Sequence, residues 1–98
     1  MAVIVGLNKV MGRSSKIEAP LGVVTSFENL EIIARKCIKA AGESENTALL
    51  EIREIRPDEE QKQVFLGWMF SISPSVSAME HPVYDVTLLN CEYKNLEN

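Results

Sequence analysis

The chain has 98 residues, 46% of them hydrophobic and 24% charged; these values exclude disorder and leave room for one domain, not two. Its net charge is −4 at pH 7 and its ten Lys and Arg residues are scattered, which argues against nucleic acid and against an anionic membrane as partners. The longest apolar runs are a few residues, far short of the roughly 20 that a spanning helix needs.

Turn-forming stretches cut the chain at short intervals: 12–15, 20–22, 28–29, 41–46 and 56–60. Between them lie runs rich in Val, Ile, Thr, Phe and Leu. They predict strands over Ala2–Val10, Lys16–Ala19, Val23–Phe27, Leu30–Lys39, Thr47–Ile55, Gln63–Ser71 and Val83–Glu92. In the fourth, Leu30, Ile32, Ala34 and Ile38 share one face, which leaves Cys37 on the more polar one. The sixth carries Val64, Leu66, Trp68, Phe70 and Ile72 in alternation, with Phe65 and Met69 apolar between them. A strand apolar on both faces belongs in the centre of a packed structure, so Trp68 is expected as a core anchor. After it, Ser73 suits an N-cap and Pro74 a first helical position, and Pro82 returns the chain to extended backbone. A short helical crossover near 74–80 is therefore expected. The fold class is all-β: a small antiparallel sandwich or barrel of about seven strands, one domain over 1–93, with a frayed polar tail at 94–98.

Chemistry-bearing residues are few. Glu80, the single histidine His81, Tyr84 and Asp85 form one polar constellation. A histidine beside carboxylates can serve as a general acid–base pair or a metal ligand if both converge on a cleft. The structural reading has His81 fixing the turn before Pro82 through a backbone hydrogen bond, with Tyr84 and Asp85 satisfying buried polar groups; that reading is preferred. Ser71, Ser73, Ser75 and Ser77 lack the GxSxG setting of a nucleophile, and no GxxxxGK[ST] phosphate loop occurs. Asp58-Glu59-Glu60 lacks calcium-loop spacing and reads as a solvated turn. Trp68, Met69 and Phe70 read as core rather than as a ligand pocket. No metal or cofactor is expected. Cys37 and Cys91 are too far apart in sequence for a CxxC motif or zinc ribbon, which leaves free thiols or one disulfide.

The string Gly67-Trp68-Met69-Phe70-Ser71-Ile72-Ser73-Pro74, then Glu80-His81-Pro82-Val83-Tyr84-Asp85-Val86 and Cys91, resembles the domain-of-unknown-function 2155 (DUF2155) family of alphaproteobacterial exported proteins. Earlier segments fit it too: Gly6-Leu7-Asn8-Lys9-Val10 with Gly12-Arg13, Phe27-Glu28-Asn29-Leu30, Ala34-Arg35-Lys36-Cys37 and Leu50-Glu51-Ile52. The likeness covers almost the whole chain; Thr87 departs from it, where the family tends to carry a bulky aromatic. It implies an exported, periplasmic protein and no particular activity. Cys37 and Cys91 match positions where the family commonly has cysteine, and an oxidising compartment makes a Cys37–Cys91 bridge the preferred reading. Met1–Val5 is too short for a signal-peptide core, so export implies a leader outside this sequence; the alternative is a cytoplasmic protein with free thiols. The expected function is a non-catalytic binding or structural module for an envelope or protein partner. The competing one is an enzyme or small-ligand site around His81 with Glu80 and Asp85.

Overall fold

The computed structural model describes residues 1–39, 45–72 and 79–92. Seven strands form within them: β1 (Ala2–Asn8), β2 (Arg13–Ala19), β3 (Val24–Phe27), β4 (Leu30–Lys39), β5 (Asn46–Glu54), β6 (Lys62–Phe70) and β7 (Tyr84–Cys91). They make a three-stranded sheet, β2-β1-β7, and a four-stranded sheet, β3-β4-β5-β6, with every pairing antiparallel. One core lies between the sheets. Ile4 and Val86 enter it from the first sheet, and Leu30, Ile32, Leu50 and Ile52 from the second. Each buried aliphatic side chain contributes roughly 1.5–3 kcal/mol.

The period of two is cleanest in β5. Asn46, Ala48, Leu50, Ile52 and Glu54 are buried, while Thr47, Leu49, Glu51 and Arg53 are half-exposed. In β4 the alternation starts the same way but changes phase. The ladder to β5 skips one residue between Ala34 and Lys36. The extra residue, Arg35, is a β-bulge, and a bulge moves every following side chain to the opposite face. Cys37 therefore turns inward against the core, and Ile38 turns out to solvent. The even alternation expected for Leu30–Ile38, with Cys37 on the polar face, is corrected accordingly.

β6 is an edge strand, not a central one. Met69 is buried on its inward side, where Phe65 also packs against the core, whereas Trp68 and Leu66 face solvent. Trp68 is thus not the core anchor that its apolar neighbours suggested. Both faces of β6 are apolar, so composition could not fix which one faced inward; pairing of Met69 with Ala48 and of Trp68 with Leu49 does.

The expected helical crossover at 74–80 falls mostly on residues 73–78, Pro74 included, which lie outside the described residues. Its described end, Met79 and Glu80, is not helical, and no helix occurs among the described residues. Both ends of this connection are fixed. Ser71 Oγ accepts from Asn46 N at 2.8 Å, and Ser71 N donates to Asn46 O at 2.9 Å. Met79 is buried in the core. The tail expected at 94–98 also lies outside the described residues.

Cys37 on β4 and Cys91 on β7 form a disulfide with a Cα–Cα distance of 5.7 Å. It joins the four-stranded sheet to the three-stranded one.

Candidate functional site

The polar residues gather at the end of the sandwich where β5 finishes and β7 begins. Glu54 is the last inward position of β5, so the alternation that buries Leu50 and Ile52 also buries a carboxylate. A buried carboxylate needs a partner, and His81 supplies it: Nε2 lies 2.9 Å from Glu54 Oε1. The other ring nitrogen, Nδ1, accepts from the backbone N–H of Val83 at 3.0 Å and of Tyr84 at 3.1 Å. Two donors on Nδ1 assign the ring proton to Nε2, which donates to Glu54. Arg56 adds a second contact to Glu54 Oε1 at 3.1 Å. The His81 hydrogen bond first, and the Arg56 hydrogen bond after it, hold the Glu54 carboxyl below the usual glutamate range against the opposing effect of burial.

His81 thereby clamps the chain entering β7. Lys9 tightens the same turn: its backbone N–H donates to Val83 O at 2.8 Å, and its ammonium donates to the His81 carbonyl. Behind the imidazole stand Tyr84, with ring centroids 5.3 Å apart, and then Phe27, edge-on to Tyr84 at 6.2 Å. The Phe27 ring lies on Gly6, where a Cβ would come within 2.7–2.9 Å of ring carbons. Only glycine permits that approach.

A second polar group flanks this stack. Asn8 is buried; its Oδ1 accepts from Val10 and Met11 N–H, and its Nδ2 donates to Glu28 Oε1 at 3.0 Å. Arg13 approaches the same carboxylate at 3.6 Å. Glu28 occupies the first position of the two-residue β3–β4 turn at φ 50°, a region unfavourable for a side chain with a Cβ. A two-residue hairpin turn requires that conformation at its first position, which Phe27 and Leu30, paired on either side, enforce.

Two concavities adjoin these groups. One, of about 310 Å³, is lined by Glu54, Arg56, Lys62, Glu80, His81 and Pro82 among others. The second, of about 460 Å³, opens between β2 and β3 along Arg13, Ser14, Ser15, Ile17, Phe27 and Glu28. No group of three metal-ligating side chains occurs among the described residues.

The sequence-derived candidates are therefore only partly brought together. Glu80 borders the first cleft, exposed, but the carboxylate paired with His81 is Glu54. Asp85 sits on β7 opposite Leu7. Tyr84 is buried in the aromatic stack, and Pro82 lines the cleft. The Asp58-Glu59-Glu60 segment is an exposed turn. Sequence reasoning missed Glu54, Asn8, Lys9 and Glu28. For Glu54 a signal existed: a carboxylate at the inward parity of Ala48, Leu50 and Ile52 demands a buried partner.

Residues 2–91 match the family described as an uncharacterized protein conserved in bacteria (DUF2155). The chain belongs to that family. It is also similar to the uncharacterized protein RP359 of Rickettsia prowazekii (strain Madrid E), with 37% identity over 90 residues. That alignment covers 90% of this chain and 58% of the relative, so the chain spans less than two-thirds of that protein's length. No solved structure matches the chain. Within the fold, the segments that carry the family resemblance meet: Gly6–Lys9, Phe27–Glu28 and His81–Tyr84 build the stack just described, and Cys37 bonds Cys91.

Proposed function

We propose that the chain is a non-catalytic contact module of the bacterial envelope, exported to the periplasm and locked by its Cys37–Cys91 disulfide. The observation that carries the non-catalytic reading is the occupancy of His81. Its Nδ1 already accepts two backbone N–H bonds and its Nε2 already faces Glu54. A general base needs a lone pair aimed at substrate, and this ring, 7% exposed, directs both nitrogens into the protein. The disulfide supports export, because such bonds persist in oxidising compartments; the exported character implied by the family resemblance points the same way.

The competing reading, a small-ligand or catalytic site at His81, is favoured by one observation: Glu80, Glu54 and His81 all line the 310 Å³ cleft. Two experiments separate the readings. The complete gene is fused to a phosphatase reporter that works only after export, and the thiols of the native-host protein are titrated after denaturation without reductant. Reporter activity and no free thiol are expected; a silent reporter with two free thiols overturns the envelope reading. Hydrolase and transferase substrate panels are run on the wild type and on His81→Gln. Turnover that disappears in the folded variant overturns the non-catalytic reading.

A further inference from the structure

Among the described residues, four strands end the two sheets: β2 and β7 in one, β3 and β6 in the other. An edge strand leaves a row of backbone N–H and C=O groups unpaired, ready to take another strand. Three of these edges carry at most one charge: β3 none, β6 Lys62 and β7 Asp85. Only β2 carries both signs, as Arg13, Lys16 and Glu18. A lysine on an edge commonly repels other strands. Here a glutamate two residues further on removes that protection against one partner, another β2.

Lys16 and Glu18 are exposed on the outer face of the three-stranded sheet, opposite Val5 and Val3 of β1. Neither forms an ion pair among the described residues, whereas Arg13 meets Glu28. Between them Ile17 points inward, opposite the core residue Ile4; it is half-buried and lines the concavity between β2 and β3. Two copies related by a two-fold axis perpendicular to the sheet pair antiparallel, and the axis passes through one residue of the strand. Centred on Lys16, the lysine faces itself; centred on Glu18, the carboxylate faces itself; centred on Ser15, Lys16 faces Ser14. Centred on Ile17, each Lys16 faces the second copy's Glu18, and Ile17 meets Ile17. Ser15 then faces Ala19, and Pro20, which has no N–H, ends the ladder on each side. Opposite charges directly across a strand pair support it and like charges oppose it, so the charge order selects this register.

We infer that β2 pairs with β2 of a second copy, antiparallel about Ile17, and joins two three-stranded sheets into one continuous sheet, β7-β1-β2-β2-β1-β7. The backbone groups of the edge accept any strand; the alternation Lys16-Ile17-Glu18 is complementary to itself. The pairing also gives Ile17 an apolar neighbour beside the concavity that it lines with Phe27. The ladder is short, Ser15–Ala19 from each copy, so the interface is small and the dimer forms reversibly. Self-association at this edge is independent of the compartment and of His81.

The test is sedimentation equilibrium of the disulfide-bonded chain across about 5 μM to 1 mM. The mass is expected to rise from 10.9 kDa toward twice that value. Lys16→Glu and Glu18→Lys each set like charges opposite one another twice and raise the dissociation constant roughly tenfold. The Lys16→Glu/Glu18→Lys double variant restores both pairs and recovers to within about threefold of the wild type. Lys16→Glu makes the chain more acidic and Glu18→Lys less so, so repulsion between whole chains would weaken the first dimer and strengthen the second. Both exchanges lie at exposed positions, and thermal unfolding at the lowest concentration, unchanged within about 3 °C, checks the fold. Ile17→Cys is expected to cross-link to its own copy under mild oxidation, because facing Cα atoms in an antiparallel pair are about 4.5–5.5 Å apart; Ser15→Cys is not. A chain that stays monomeric at every concentration overturns the proposal and leaves the edge to a strand of another protein. A dimer that either single exchange leaves unchanged or strengthens also overturns it, as does cross-linking at position 15 and not at 17. Failure here leaves His81 and the export reporter to judge the contact-module reading separately.

Discussion

Breaking the Cys37–Cys91 bridge releases a closed loop whose ends are 54 residues apart in sequence. In the chain-entropy treatment the cross-link lowers the entropy of the denatured chain by about 2.1 + 1.5R ln 54, or about 14 cal/mol/K. At 25 °C this is about 4 kcal/mol. Domains of this size are stable by about 5–15 kcal/mol, so the bridge supplies a large fraction of the total. The perturbation is a comparison of the oxidised chain with the same chain under reductant, and with a Cys37→Ala/Cys91→Ala double variant. Equilibrium urea unfolding, followed by far-ultraviolet circular dichroism, gives the stability of each. Reduction is expected to lower it by about 4 kcal/mol, mostly through a lower midpoint, and the double variant to lose somewhat more because Cys91 is fully buried. A difference below about 1 kcal/mol would refute the reasoning, since the denatured chain would then be restricted by something other than the cross-link.

Four further outcomes follow from the packing and the charges. Gly6→Ala drives a methyl group into the Phe27 ring and is expected to destabilise by about 1–3 kcal/mol, with partial recovery in the Gly6→Ala/Phe27→Leu double variant; both are read by urea unfolding. His81→Ala removes the acceptor for two backbone N–H groups and one partner of buried Glu54, for an expected loss of about 2–4 kcal/mol; a neutral result would show that water replaces the ring. Glu54 has a folded pKa below its unfolded one. Between the two the unfolded state binds more protons, so its contribution is present above the ordinary glutamate range and is lost as pH falls through the folded pKa; Glu54→Gln should flatten the acid limb of a stability-versus-pH curve. Trp68→Ser is expected to change stability by no more than about 1 kcal/mol, against about 2–5 kcal/mol for Leu50→Ala, and a reversal of that order would restore Trp68 to the core.

The seven strands were legible because turn residues and β-branched runs mark them locally, and the strand ends differ from expectation by only a few residues. Which face of each strand is buried was harder to read. In β5 parity alone gives the answer, since Ala48, Leu50 and Ile52 alternate with polar residues. In β4 the bulge at Arg35 reverses parity midway, and nothing in Ala34-Arg35-Lys36 announces it. In β6 both parities are apolar, so only its register against β5, which sets Trp68 beside Leu49 on the outer face, exposes Trp68. The site was legible in its histidine but not in its partner. Glu54 is 27 residues from His81, and their meeting depends on β5 being antiparallel to β6 and on where the connection after β6 comes back. Sequence proximity favoured Glu80 and Asp85 instead.

The pairing of β1 with β7 bears on how the molecule is made. Ala2 lies opposite Cys91 and Asn8 opposite Tyr84, so the first strand of the fold waits for the last. Until residue 91 has left the ribosome or a translocation pore, β1 has only the β2 hairpin for company and Cys37 lacks its partner. Contacts between such distant residues close late and slowly. An emerging chain would therefore expose the apolar inner face of β1 throughout its delivery, and then complete the three-stranded sheet and the covalent link in a single final stage. Truncations short of Cys91 should yield no folded intermediate to isolate, and an assisting chaperone or disulfide oxidase would act on the whole chain.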